Sequence, residues 1–390
     1  MCKQLPTGRR SSRTRSGVIG AVAATTIVVS LAGCSSSGAS KSSSGASTQT
    51  IASTGNKANV AEAQSFVAKY SAPLTSVNLP PLKSAPPRGK NIALVVNNLP
   101  ESNDLLNGME EGAKALGWTT LPIVFDPSSA TGLVDAYAKA ADANPDGVVT
   151  QAASTAAYSQ AAKRFAAKKI PVVTSNTDDA VTPPIISNVT NPDQVKLSGR
   201  IAANYIIAQK GENANVAMFN IPSFPILVAF ETGFKSEYLR LCPGCKYKSV
   251  PVQPGDIGTK VPAQVVSTIQ ADPKINFAVM GFGAVATGVA GALRTAGISG
   301  VQIVGEAPAL GNMTALTTGS EDMWVAFPLH GIGWKSIDAL ARYFNKESTA
   351  IDDSSATPFQ ILTKANVAKP AALPEVAGYQ ALFKQLWHVS

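Results

Sequence analysis

Few residues in this 390-residue chain have the types and spacing that enzyme chemistry requires. The chain has only two histidines, His330 and His388, and no Gly-x-Ser-x-Gly turn, so a serine–histidine–aspartate triad is not indicated. The stretch "PSSATG" lacks the Gly-Lys pair of a phosphate loop, and "GFGAVATG" has its glycines at the wrong spacing for a dinucleotide loop. The sequence therefore predicts a protein that is not an enzyme and needs neither a cofactor nor a metal.

Two of the four cysteines, Cys242 and Cys245, are separated by a Pro-Gly pair. In an oxidising compartment this spacing is most simply interpreted as a local disulfide. A redox-active pair is the alternative, although no thioredoxin-like context surrounds it. Zinc binding is less favoured, because the sequence offers no second cysteine pair.

The N-terminal segment has the pattern of an export signal. Its first 15 residues include five basic and no acidic ones, and residues 16–33 are uncharged and largely apolar. The sequence Leu31-Ala32-Gly33-Cys34 resembles the bacterial lipobox, which implies lipidation of Cys34 and cleavage before it. We therefore expect a lipoprotein signal peptide over 1–33 and a lipid anchor with a flexible Ser/Gly-rich tether over 34–56. An uncleaved membrane anchor is the alternative, and Arg9-Arg10 leaves the export route open between the general and twin-arginine pathways.

The formal net charge of +8 overstates the basic character of the mature chain. Without the signal, 28 basic residues face 25 acidic ones, which is weak support for a nucleic-acid or anionic-membrane surface. We therefore expect no nucleic-acid partner. The remaining 357 residues are enough to form two lobes, each with its own core.

From Lys90 onward, predicted strands alternate with predicted helices in two successive series. The stretches "NIALVVNN" and "ANVAMFN" are continuous apolar runs, as expected for strands that are buried on both faces. This alternation predicts an α/β fold with two doubly wound parallel-sheet lobes. Residues 57–87 form a proline-rich lead-in, with a short helix predicted over 59–70 and an extended segment after it.

In open parallel sheets, ligands bind at the carboxyl ends of the strands. The residues that follow the predicted strands are therefore expected to line a cleft between the lobes: 97–103, Asp126, Gln151, 175–177, 220–224, 253–256, Phe282 and 306–308.

The stretches "DGVVTQ", "IPVVTSN", "VATGVAGALRTAGISGVQIVG", "FQILTKANV" and "YQALFKQLW" occur in that order. Together they resemble the type I periplasmic solute-binding proteins, the sugar-type receptors of ABC importers. The resemblance covers residues 90–387 and implies a three-segment hinge, with crossings near 187–192, Glu306 and 357–362. It assigns 88–188 plus 306–356 to lobe one and 192–305 plus 358–390 to lobe two.

The resemblance also implies a function. It predicts a monomeric, lipid-anchored receptor on the extracytoplasmic face of the cell membrane, which closes around a small-molecule solute and delivers it to an ABC permease and its ATPase. A ligand-sensing subunit of a membrane signalling system is the alternative, and a surface enzyme on a related scaffold is a third possibility.

The chain departs from the sugar receptors at positions that commonly bind sugar hydroxyls. Phe230, Phe282-Gly283, Ala307 and Phe327 stand where those receptors have polar side chains, and Glu101 or Ser102 stands where they have a stacking aromatic. Such a site could form hydrogen bonds with few of a sugar's hydroxyl groups, and each buried polar group left unpaired costs about 1–3 kcal/mol. We therefore expect a ligand that is sugar-like by family but has an apolar or aromatic face.

The candidate ligand-binding residues combine polar groups with phenylalanines: Asn98, Glu101, Asn176, Asn191, Asn220, Phe224, Phe230, Asp256, Phe282, Glu306 and Phe327. Structural roles remain open for several of them. Phe230 is spaced to pack with Phe234 in a helix, Asn98 and Asn176 suit turns or caps, and Glu306 suits a hinge.

Overall fold

The computed structural model describes residues 58–390, in which strands and helices alternate along most of the chain. The strands are β1 (Asn91–Asn97), β2 (Thr119–Phe125), β3 (Gly147–Gln151), β4 (Val172–Ser175), β5 (Ile185–Asn188), β6 (Asn215–Asn220), β7 (Lys246–Pro251), β8 (Phe277–Met280), β9 (Gln302–Glu306), β10 (Met323–Ala326) and β11 (Gln360–Thr363). The helices are α1 (Val60–Ala68), α2 (Pro100–Ala115), α3 (Gly132–Asp142), α4 (Ser159–Lys168), α5 (Pro192–Lys210), α6 (Pro225–Leu241), α7 (Val261–Ala271), α8 (Val289–Thr295), α9 (Leu310–Thr318), α10 (Leu329–Phe344), α11 (Ala350–Ser354) and α12 (Tyr379–Leu386).

The strands of this region form two sheets, one in each lobe. The first has the order β2-β1-β3-β4-β5 and is parallel throughout. The second has the order β11-β10-β9-β8-β6-β7, and β11 is antiparallel to its neighbour β10. The predicted pair of doubly wound α/β lobes is therefore confirmed.

The continuous apolar runs of the sequence form central strands that are buried on both faces. All six residues of β6 are buried, as are all residues of β1 except the first, because helices cover both faces of each sheet. Helices α2, α5 and α6 begin directly with a proline. Proline suits the first helical position because its missing N–H would have no helical partner there. These starts fix where the first turns of α2 and α6 meet the cleft.

The lobe boundary expected near Glu306 is wrong. Strand β10 pairs in parallel with β9, so the unit β9-α9-β10 stays within the second sheet. Consecutive parallel strands joined by a helix usually lie side by side, which explains this placement. The chain crosses to the first lobe only after β10, where α10 packs on α2. Gly108 and Gly333 allow this close contact, since a Cβ atom on Gly333 would lie 2.6 Å from the carbonyl oxygen of Leu105.

The C-terminal segment also departs from the expected assignment of 358–390 to lobe two. Strand β11 does belong to the second sheet, but the chain then returns to α10 of the first lobe. The rings of Trp334 and Trp387 stack with their centroids 5.2 Å apart, and Trp387 Nε1 donates a hydrogen bond of 2.5 Å to Asp338. Apolar burial of these two large rings explains why the chain end follows α10.

The lead-in contacts both lobes. Helix α1 fills most of the predicted stretch 59–70 and packs on α5, and the backbone N–H of Asn59 donates to the carbonyl oxygen of Leu241 at 2.8 Å. The extended segment that follows reaches the first lobe, where Arg342 donates to the carbonyl oxygen of Pro80 at 2.6 Å. Residues 58–87 are therefore packed against the folded core along most of their length.

The predictions for 1–33, Cys34 and 34–56 lie outside the described residues. None of the helices within residues 58–390 has both the length and the apolar character needed to cross a bilayer. The Cα atoms of Cys242 and Cys245 are 5.4 Å apart, and their sulfur atoms lie within bonding distance.

Candidate ligand-binding cleft

Side chains from both lobes enclose a cavity of about 70 Å³ at the carboxyl ends of β1, β3, β4, β6, β8 and β9. This is the place where open parallel sheets bind ligands. The residues lining it come from the strand ends, from the first turns of α2 and α6, and from the crossing after β10: Asn97, Leu99, Glu101, Ser102, Leu105, Gln151, Ala152, Asn176, Val195, Phe224, Ile226, Leu227, Phe282, Glu306, Ala307, Phe327 and Leu329.

The wall contributed by the first lobe is polar and internally hydrogen-bonded. Ser102 Oγ donates to Asn97 Oδ1 at 2.6 Å and accepts a hydrogen bond from Gln151 Nε2. Asn97 Oδ1 also accepts from the backbone N–H of Leu99 at 3.0 Å, which ties the end of β1 to the start of α2. Asn97 Nδ2 and Gln151 Oε1 take no part in these bonds, so Asn97 Nδ2 can donate to a bound molecule and Gln151 Oε1 can accept from one.

Glu101 lies in the first turn of α2 and reaches the second lobe. Its side chain is buried, with 8% of the residue exposed, and neither carboxyl oxygen has a well-formed hydrogen bond. A Cβ atom on Gly283 would lie 2.7 Å from Glu101 Oε1, so the carboxyl group rests directly against the second lobe. Burial raises the pKa of Glu101 to about 7, because desolvation disfavours the charged form. Weak backbone contacts with Glu101 and Ala284 oppose the shift, and the charge of Asp104 adds to it.

Glu306 ends β9 and is also buried. Desolvation raises the pKa of Glu306 to about 8, although a hydrogen bond with Ser198 opposes the shift. Ser198 Oγ contacts both Glu306 and the carbonyl oxygen of Val195, the latter at 2.8 Å, and one hydroxyl proton cannot fully serve both. A protonated Glu306 satisfies all three groups, because it donates to Ser198 while Ser198 donates to Val195.

The wall contributed by the second lobe is mainly aromatic and aliphatic. Phe224 precedes α6 and Phe282 follows β8, and their ring centroids are 6.4 Å apart. Phe327 lies at the crossing after β10, where its ring meets that of Phe359 edge-on at 5.8 Å. Ring faces and edges of this kind suit a flat apolar or aromatic solute.

Six of the predicted residues line this cavity: Glu101, Asn176, Phe224, Phe282, Glu306 and Phe327. Asn176 directly follows β4 and has a left-handed backbone with φ of 55°, a conformation that asparagine tolerates better than most residues. Which of the six contact a ligand stays a prediction.

The remaining five predicted residues lie outside the cavity lining. Asn98 is exposed, and its predecessor Asn97 lines the cavity instead, so that prediction was displaced by one residue. The register was not readable from the sequence because β1 is buried on both faces and shows no alternation.

Asn220 and Phe230 have structural roles. Asn220 Nδ2 donates to the carbonyl oxygen of Leu227 at 2.8 Å and to Glu231 at 3.0 Å, which fixes α6 against the end of β6. Phe230 is fully buried, and its ring packs against Phe234 with the centroids 6.3 Å apart. The core-packing alternative for Phe230 is therefore the one that the structure supports.

Asn191 and Asp256 bind neighbouring protein groups. Asn191 caps α5 and donates to the carbonyl oxygen of Asp353 at 3.1 Å, which links two crossing segments. Asp256 forms an ion pair of 2.8 Å with Lys260 near the edge of the cleft. Neither side chain reaches the cavity.

Several lining residues were not among the predicted ligand-binding residues. Ser102 lies in the first turn of α2, just after β1, and Gln151 is the last residue of β3, so their place at strand ends already pointed to the cleft. Leu105 follows Ser102 by three residues and shares its face of α2, a spacing that the sequence displays. The sequence did not distinguish Leu227, because an apolar residue in the first turn of a helix can equally well pack in the protein core or line a ligand site.

Comparisons with known proteins agree with this architecture. A family model described as a periplasmic binding protein domain matches residues 92–348. No curated protein sequence matches the chain significantly.

Solved structures of solute-binding proteins share the fold. An ABC transporter solute-binding protein from Agrobacterium vitis, bound with α-D-tagatopyranose, is 23% identical, with a TM-score of 0.64 over 72% of this chain and 97% of that one. A 5-methylthioribose transporter solute-binding protein from Thermotoga lettingae is 16% identical, with a TM-score of 0.63 over 78% and 95% of the two chains. A carbohydrate transporter from Acidothermus cellulolyticus, in complex with myo-inositol, is 17% identical, with a TM-score of 0.58 over 77% and 99%.

The family model covers well over half of the chain, and the two sheets with their crossing segments have the type I arrangement. The chain therefore belongs to the periplasmic binding protein domain family, as a type I solute-binding protein.

Proposed function

We propose that this protein is a lipid-anchored, extracytoplasmic receptor that binds a small-molecule solute between its lobes and delivers it to an ABC permease. The observation that carries the proposal is the interlobe cavity, to which both lobes contribute side chains at the carboxyl ends of their strands. A ligand in that position contacts both lobes at once and so favours their closure.

The lobes must separate to admit a solute of ordinary size. An engineered apolar cavity that accepts benzene measures about 150 Å³, whereas the cavity between these lobes measures about 70 Å³. The space between the lobes as it stands is therefore too small for such a solute. Hinge opening at the crossing segments provides the entry route.

The proposed solute has an apolar or aromatic face and few polar groups. The three phenylalanines Phe224, Phe282 and Phe327 supply the apolar contacts, and Glu101, Asn176 and Glu306 supply the polar ones. The solved relatives named above contain sugars or polyols. This chain's apolar second wall supports a less hydroxylated ligand, because unpaired hydroxyls would lose their hydrogen bonds to water.

Attachment to the membrane belongs to the same proposal. A diacylated Cys34 would hold the folded domain at the membrane surface through the tether over 34–56. The Cys242–Cys245 pair is proposed to be a structural disulfide, which suits the oxidising side of the membrane.

A binding screen tests the receptor function. The full-length chain, extracted in detergent, is titrated by calorimetry with aromatic acids, aromatic amines, steroids, polyols and monosaccharides. We expect at least one ligand with an apolar face to bind, and X-ray scattering to report a smaller radius of gyration on binding. Tight binding of a simple hexose and of nothing else would contradict the apolar-site proposal. Scattering curves that stay unchanged with a bound ligand would contradict the closure mechanism.

The anchor is tested separately by Cys34→Ser. We expect the wild-type chain to fractionate with membranes and to incorporate labelled fatty acid, and the variant to lose the label. Membrane attachment and labelling that persist in the variant would contradict the lipid-anchor proposal.

A further inference from the structure

The cavity is lined by carboxyl groups, and the described residues around it include no basic side chain to compensate a negative charge on them. Of the described residues that line it, two are carboxylic acids, Glu101 and Glu306, and none is basic. Buried carboxyl groups normally have an ion-pair or hydrogen-bond partner, since burying an unpaired charge is costly. Glu306 has one in Ser198, whereas neither oxygen of Glu101 has a well-formed hydrogen bond, and only weak contacts with the backbone of Glu101 and Ala284 favour its charged form.

The charged groups around Glu101 do not supply the missing partner. Asp104 lies three residues further along α2, and the basic group of His330 on α10 faces Asp104 at 3.8 Å. From the second lobe, Glu321 accepts hydrogen bonds from Asn312 and Trp324, beside Gly283. Asp104 therefore adds negative charge near Glu101, and Glu321 offers it no positive partner.

The contact of Glu101 with Gly283 joins the two lobes, so it forms only when they close. In an open molecule the carboxyl group faces water and is ionised. Closing without a ligand buries that group unpaired, which disfavours closure. A ligand that places a positive charge beside Glu101 removes this cost, and closure then depends on the ligand's charge.

The opposite wall suits the rest of such a ligand. Phe224, Phe282 and Phe327 line the cavity, and aromatic rings can attract cations as well as apolar groups. We propose that the solute is an organic ammonium compound with an apolar or aromatic body, whose N–H groups donate to Glu101 while its body packs on the phenylalanines of the second lobe. This inference rests on the proposed receptor function and specifies its ligand class.

A matched set of probes tests the charge requirement. The full-length chain in detergent is titrated with 2-phenylethylamine, 2-phenylethanol, 3-phenylpropionate and myo-inositol, which compare a cation, a neutral isostere, an anion and a polyol. We expect the amine to bind about tenfold or more tighter than the alcohol, a difference on the scale of one desolvated charge pair, and the anion to bind weakest. Scattering should report closure with the amine.

Variants separate Glu101 from general effects. Glu101→Gln should lower the affinity for 2-phenylethylamine about tenfold and leave that for 2-phenylethanol within about twofold. Glu212→Gln, at an exposed position of the second lobe, is the control and should change neither. In the wild type, amine affinity should stay nearly constant from pH 8 to 6 and fall toward pH 4, because the exposed carboxyl group of the open state, with an ordinary pKa of about 4.3, then becomes protonated and cannot form the ion pair.

The outcomes distinguish the two proposals. If the alcohol or the polyol binds as tightly as the amine and closes the lobes, the ammonium inference is overturned while the receptor function stands. If the amine binds best but Glu101→Gln has no effect, the assignment to Glu101 is overturned. If no ligand in this set or in the wider screen binds, both proposals are overturned.

Discussion

The cleft faces of the two lobes differ in kind. On the first lobe, Asn97, Ser102 and Gln151 hydrogen-bond to one another and present their remaining polar atoms to the cavity. On the second lobe, Phe224 and Phe282 dominate, and the acid Glu306 is satisfied by Ser198. The contrast predicts that a ligand binds with its polar end toward the first lobe and its apolar body toward the second.

The largest effect is expected on stability, from a substitution in the core of the second lobe beneath its apolar cleft face. Phe230→Ala removes a fully buried ring and should lower the free energy of unfolding by about 3–5 kcal/mol, because the cavity left behind cannot fully collapse. Ligand affinity measured well below the melting temperature should be unchanged, since Phe230 lies outside the cleft. Chemical denaturation and calorimetry measure the two quantities. A loss of affinity in a variant that remains folded would contradict this assignment and support a ligand-binding role for Phe230.

A smaller loss of stability should follow when the polar face is broken. Ser102→Ala leaves Asn97 Oδ1 and Gln151 Nε2 without a shared partner, and it should lower the free energy of unfolding by about 2 kcal/mol. Ser267→Ala, on an exposed part of α7, is the control and should stay within about 0.5 kcal/mol. Equal effects of the two variants in urea denaturation would show that the polar network does not stabilise the lobe.

Glu306 should make stability depend on pH. Its folded-state pKa of about 8 lies above the usual value for glutamate, so the folded state binds more protons than the unfolded state between pH 4.5 and 8. Stability contributed by this group is therefore present at low pH and is lost as the pH rises through 8. Glu306→Gln should flatten this dependence and exceed the wild type by about 1–2 kcal/mol at pH 9. Parallel wild-type and variant profiles from urea denaturation at pH 5–9 would contradict the assignment.

The smallest of these effects concerns ligand affinity. Phe282→Ala should weaken binding about five- to tenfold, or about 1–1.4 kcal/mol, if the ring forms part of the apolar anchor. Phe282→Leu, which retains most of the apolar volume, should recover part of that loss. Calorimetry with the best ligand from the screen measures both. An unchanged affinity in Phe282→Ala would move the anchor to Phe224 or Phe327.

The fold and the position of the cleft could be predicted because they depend on local patterns. Continuous apolar runs such as that of β1 mark strands buried on both faces, and the rule that ligands bind at strand ends locates Glu101 and Phe282 without further information. The same two-sided burial hides which side of β1 each residue faces. The displacement between Asn98 and Asn97 follows from this loss of register.

The lobe boundaries could not be predicted because they depend on tertiary pairing. Strand β10 is a short apolar run that would suit either sheet, and its partner β9 determines the choice. The position of the C-terminal helix α12 likewise depends on the stacking of Trp334 and Trp387, which lie more than fifty residues apart in the chain. Contacts at such separations leave no periodic signal in the sequence.

The lead-in sets a limit on how far the lobes can part. Tyr70 accepts a hydrogen bond from Ile361 on the second sheet, and Pro80 accepts one from Arg342 on the first lobe. The ten peptide units between them span at most about 35 Å when fully extended. The segment is thus a tether between the two lobes. While both hydrogen bonds persist, hinge opening cannot separate the two attachment points by more than this length.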